Sequence, residues 1–112
     1  MEQWQENVKV LNGTGYSNYS PNTYTVVLPI DTVLCKGNNC KVVFPKDPPN
    51  GYVLTIFDKC LDNCFINSNG KNVQGTTDYS TDYHVVSNGE LSGRIPWRWT
   101  YIDGVWYEEY IG

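Results

Sequence analysis

The residues whose chemistry depends most on spacing are four cysteines. They stand as Cys35-x4-Cys40, then nineteen residues, then Cys60-x3-Cys64. Each pair brackets a turn-forming stretch, KGNN and LDN. Strand-forming residues lie outside both: TVLC and CKVVFP around the first, YVLTIFDKC and CFINS around the second. Each reads as a β-hairpin. In a meander the turns alternate between two ends, and the single break KDPPNG lies between these two, so all four cysteines are expected at one end.

Three chemistries fit such a cluster. Facing residues of an antiparallel pair lie about 4.5–5.5 Å apart at Cα, within the roughly 4.4–6.8 Å that a disulfide spans. Cys35–Cys40 and Cys60–Cys64 are then the simple pairing, with cross-hairpin pairing as its variant. Two turn-borne thiolate pairs are also how a structural zinc is held, although the usual C-x2-C knuckles are absent. The third reading is thiols packed as small apolar groups. None of the three is catalytic, and the neighbouring Lys36, Lys41 and Lys59 make no redox motif.

Other catalytic constellations are thin. His84 is the only histidine, and no nucleophile–base–acid set can be named around it. The carboxylates Asp58, Asp62, Asp78, Asp82, Asp103, Glu108 and Glu109 would need a cleft to act as a glycosidase pair. No enzyme is expected.

The stretch IPWRWTY carries the strongest surface chemistry. In a strand, Trp97, Trp99 and Tyr101 share one face. With Trp4 and Trp106 they are candidates for a subunit interface or for stacking on a glycan. The alternative is a core face, because such rings bury large areas. Pro96 places this strand at an edge or bulge.

The composition says what must position these groups. Aromatics make up 14% of the 112 residues, with nine tyrosines and four tryptophans, and aromatic and β-branched residues favour strands. No segment shows helical periodicity beyond one turn. The expectation is an all-β, antiparallel meander, small sandwich or β-prism-like domain over residues 23–112, preceded by an arm or short edge strand and loop over 1–22. No internal repeat is expected. The net charge of −4, without a basic patch, argues against nucleic acid. No apolar run reaches a membrane span, and the N-terminus lacks the basic start and apolar core of a signal peptide. Asp103-Gly104, between RIPWRWTYI and VWYEEYI, is a strong hairpin signal.

The order of features resembles a small β-domain of bacteriophage and other viral tail-fibre, spike and capsid-decorating proteins. The matching pieces run through Pro45, Gly51, Ile56, Asp58, Ile66, Asn69, Gly70, Lys71, Gly75, Asp103, Gly104 and Trp106. The family pattern is an apolar strand ending in Pro, then dG..v.I.D, I..nGk.I.G and a closing DG..W strand, here covering roughly residues 23–110. The chain departs from it in its cysteines and in the Trp-rich RIPWRWTY. The resemblance implies a virion structural role, a homotrimer and no active site. The partners are then sister copies and the major capsid protein or other virion proteins, with the location in the virion after synthesis in the host cytoplasm. An extracellular particle favours the disulfide state. The brevity of the chain favours capsid decoration over a fibre shaft, with Trp4 on the arm as an anchor. A carbohydrate-binding, receptor-recognising module that takes a host-surface glycan is the alternative.

Overall fold

A computed structural model describes residues 7–15, 20–59, 64–73, 83–85 and 97–110. The described fold is all-β, with ten strands in two mixed sheets. In chain order they are β1 Val8–Asn12, β2 Asn22–Thr25, β3 Thr32–Lys36, β4 Cys40–Val43, β5 Val53–Lys59, β6 Cys64–Asn67, β7 Asn72–Val73, β8 Tyr83–Val85, β9 Trp97–Ile102 and β10 Val105–Tyr110. One sheet runs β1-β3-β5-β9-β10-β7 and the other β2-β4-β6-β8.

This order is not a meander. The first eight strands alternate between the sheets, so the chain winds as a flattened coil. Through β6 successive strands of one sheet run parallel, β1 with β3, β3 with β5, β2 with β4 and β4 with β6, after which β8 pairs antiparallel with β6 and β7 joins β10. Val8 pairs with Thr32, which pairs with Thr55, a repeat of about two dozen residues and within the usual range for solenoid rungs. The expected Cys35/Cys40 hairpin is thus overturned. KGNN carries the chain from one sheet to the other, and β5 and β6 likewise belong to different sheets. The one hairpin foreseen correctly is β9–β10, where Tyr101 faces Trp106. Asp103 and Gly104 supply the two positive φ angles, 51° and 83°, that a two-residue turn of matching twist requires.

Residues 8–12 take the edge-strand half of the reading for the N-terminal segment. They pair in full with β3, so the boundary drawn at residue 22 falls inside the fold. The aromatic strand β9 is central, between β5 and β10, and not at an edge. Pro96 and Trp4 lie outside the described residues.

The rungs stack through their corners. Gly13 N–H donates to Lys36 O at 2.8 Å and Gly15 N–H to Asn38 O at 3.0 Å. The buried Asn39 donates from its carboxamide to Thr14 Oγ1 at 2.9 Å. At the opposite corner, Asp31 and Thr32 N–H donate to Asn7 O, and Thr55 N–H donates to Asp31 O. Asn7 also reaches both Asp31 carboxylate oxygens at 3.2 Å. Side-chain and backbone donors thereby satisfy polar groups that no ladder covers.

Between the sheets lies one core. Val33, Cys35, Leu54, Ile56, Trp99 and Trp106 come from the larger sheet, and Cys40, Val42, Cys64 and Ile66 from the smaller. Phe44, just past β4, joins the layers: its ring centroid is 5.1 Å from Trp99 and 4.8 Å from Trp106. Fully burying an aliphatic or Phe side chain contributes about 1.5–3 kcal/mol, so this row carries most of the cohesion between the two sheets.

Candidate interaction surface

Strict alternation along the strands fixes what points inward and outward. On β9, Trp99 is fully buried and Tyr101 is 7% exposed, and on β10 Trp106 is fully buried. A sugar needs an open ring face, and none of these three has one. They are core residues, which sets them aside as glycan or interface contacts. Trp97 is half-buried and stacks on Trp99 at 6.2 Å and 14°.

The described cysteines follow the coil and not the hairpins from which a four-cysteine cluster was expected. Cys35 is in register with Leu11 and Asp58, whereas Cys40 is the register partner of Cys64 in parallel strands. All three are fully buried. The Cys40 thiol lies 3.7 Å from the carbonyls of both Leu11 and Lys36. Among the described residues no disulfide forms, so Cys35–Cys40 is not a bridge. Cys60, which completes both the second pair and the zinc set, lies outside them. Among the described residues, no three His, Cys, Asp or Glu side chains are grouped to hold a metal. Asp62, Asp78, Asp82 and Gly75 also fall outside, as does the side chain of His84, whose backbone belongs to β8.

The residues carrying the family resemblance are occupied in holding the fold. Ile56, Asp58, Ile66 and Trp106 are buried. Asn69 donates from its carboxamide to Phe44 O at 3.0 Å. Asp103 N–H donates to Asn50 Oδ1 at 2.8 Å. Lys71 pairs with Asp47 at 3.2 Å on the surface, a hydrogen-bonded contact that raises the lysine pKa.

The apolar residues that the core does not take up lie mostly on the outer face of the larger sheet. Its first rows run Val8–Thr32–Thr55 and Val10–Leu34–Phe57 across three parallel strands. Farther along the same face come Val53–Thr100–Tyr107 and the Ile102–Val105 pair. Val10 is 45% exposed, Phe57 38%, Ile102 43% and Tyr107 48%. The same face also carries the Lys36–Lys59 row and the Arg98–Glu109 ion pair, at 3.0 Å. The outer face of the smaller sheet is more polar: Thr23, Thr25, Lys41, Val43, Phe65 and Asn67. Sequence reading missed this surface because it assigned the surface role to the aromatics of β9. The outward row Val10–Leu34–Phe57 takes one residue from each of three strands, and only the pairing brings them together.

Tyr52 ties the rungs together beside the aromatic core. Its hydroxyl donates to Ile30 O at 2.5 Å. Burial, and secondarily the Asp31 carboxylate, push its phenol above the ordinary value. The folded state therefore holds this proton more tightly than the unfolded chain does. Its contribution is complete below the unfolded phenol pKa of about 10 and is lost as pH rises beyond it. The stability difference between the native chain and Tyr52→Phe should be constant at neutral pH and shrink above pH about 10, measured by urea titrations along a pH series.

No family model, curated protein or solved structure matches the chain.

Proposed function

We propose that this chain is a structural component of a virus particle, a capsid-decorating or short spike or fibre-head protein that assembles with copies of itself, as a homotrimer. The observation that carries the reading is the apolar outer face of the larger sheet. Parallel strands are ordinarily covered on both faces. Here β1, β3 and β5 are covered on one face by the smaller sheet and present Val8, Val10, Leu34 and Phe57 on the other. Contiguous exposed apolar rows of this kind mark association surfaces. The engagement of the resemblance residues in packing and corner bonds supports a scaffold role over catalysis.

Light scattering of the native chain at micromolar concentration should give the mass of three copies. Phe57→Glu, which puts a charge at the centre of the face, should shift that mass to one copy while circular dichroism stays unchanged. A native chain that runs as a single copy would sink the self-assembly. Mass spectrometry of purified particles should find the chain in stoichiometric amount, and its absence from them would sink the virion role.

A further inference from the structure

The coil has two ends, and each is a place where another copy could add strands. At the first-rung end, β1 and β2 are the edge strands of their sheets. An edge strand presents unpaired N–H and C=O groups that template further pairing.

One inward-pointing row at this end breaks the pattern of the core, although Leu11 beside it on β1 keeps to it. Lys9 is in register with Val33, which is in register with Ile56 and, through it, Trp97. Val33 is fully buried and Ile56 nearly so, so Lys9 occupies the position a core residue would hold on the next rung. In the facing sheet Tyr24 is in register with Val42 and Ile66, both buried. The Lys9 ammonium lies over the Tyr24 ring, 5.0 Å from its centroid. The two edge strands thus meet across the mouth of the coil through a cation on an aromatic face. Beside them the Asn22 carboxamide donates to Asn12 O at 2.6 Å. The opposite end is limited differently, by edge strands of two and three residues, β7 and β8.

We propose that Lys9 and Tyr24 close the first-rung end against a second copy of the chain, so that copies meet side by side and not end to end. A rung added under β1 and β2 would bury the Lys9 ammonium between apolar layers, where no carboxylate among the described residues pairs with it. Burying an uncompensated charge costs more than strand pairing returns. An inward-pointing charge is one of the ways natural sheets protect their edges. The side-by-side half of this inference rests on the self-assembly reading above; the closed end does not.

The test is sedimentation velocity at increasing micromolar concentration. Lys9→Val suits a strand and restores an apolar inner row. It should give elongated species whose mean mass climbs several-fold above that of the native chain. Lys9→Arg keeps a cation over the ring and should sediment like the native chain. Phe57→Glu added to Lys9→Val should leave the end-to-end growth intact. A folded Lys9→Val chain with the native mass distribution overturns the proposal. If Lys9→Val does not fold, Lys9→Gln decides on the same criterion. If Phe57→Glu alone leaves the native mass unaltered while Lys9→Val still lengthens, the lateral contact fails and the closed end stands.

Discussion

Trp106→Ala should destabilise the fold by about 3–5 kcal/mol, the usual range for truncating a buried large aromatic. Trp106 is fully buried, and three rings converge on it: Phe44 at 4.8 Å, Tyr101 at 4.9 Å and Tyr52 at 6.1 Å. Phe44 follows β4 in the smaller sheet, while Tyr101 and Trp106 sit on the larger, so the cavity opens where the two layers join. Tilted and edge-on ring pairs add about 0.5–1.5 kcal/mol each beyond area burial, which places the loss towards the upper end. Trp106→Phe keeps part of the ring contact and removes an indole N–H that is buried without an acceptor among the described residues. It should cost clearly less than the alanine variant. Urea unfolding followed by circular dichroism measures both. A Trp106→Ala loss below about 1 kcal/mol, the level of ordinary surface changes, would show that the ring is not where the layers meet.

Gly13→Ala has the next largest expected effect, for a different reason. A Cβ at Gly13 would lie 1.9 Å from Asn38 O and 2.5 Å from Asn38 C. Both are backbone atoms of the next rung's corner, so no side chain can swing aside. Relief requires the first corner to lift off the second. That strains the Gly13 N–H to Lys36 O and Gly15 N–H to Asn38 O bonds, and with them the Asn39–Thr14 contact. Overpacking typically costs about 1–3 kcal/mol, and a backbone clash belongs at the top of that range. Asn12→Ala, one residue earlier and exposed, keeps the backbone carbonyl that Asn22 uses and should stay within about 0.5 kcal/mol. Equal unfolding midpoints for the two variants would contradict the stacked corner.

Several elements were readable in the residues themselves. The excess of aromatic and β-branched residues specified strands, and Asp103-Gly104 specified the β9–β10 turn. The alternation in YVLTIFD put Leu54, Ile56 and Asp58 on one face, and all three are buried. Which strands share a sheet was not readable, because a tight hairpin and a coil corner use the same turn residues. KGNN suits either, and only long-range pairing distinguishes them. A trace of the coil was nevertheless present in Thr25-Val-Val-Leu-Pro29 and Lys41-Val-Val-Phe-Pro45. The two segments meet where β2 ends, with Thr25 against Val43 and the Val26 N–H donating to Val43 O. That register differs by two residues from the sequence match, a shift that preserves the faces. The expected gathering of four cysteines rested on a meander that the fold does not have; the Cys40–Cys64 register comes instead from the parallel pairing of β4 with β6, and Cys60 lies outside the described residues. The outer apolar row was hidden because Val10, Leu34 and Phe57 are unremarkable singly and line up only once three rungs are stacked.

The central claim is that the coil keeps the Trp99, Tyr101 and Trp106 rings inside and that, on the function proposed above, one outer face meets sister copies. A soluble paramagnetic agent added to isotopically labelled native chain at low and high concentration tests this directly by NMR. At low concentration the Val8, Val10 and Leu34 methyls and the Phe57 ring protons should be strongly attenuated, while Trp99 and Trp106 stay sharp. At high concentration the outer-face signals should become protected, and Lys41 and Val43 of the smaller sheet should remain accessible. Attenuation of Val10, Leu34 and Phe57 that does not change with concentration, or protection appearing on the smaller sheet instead, would contradict it.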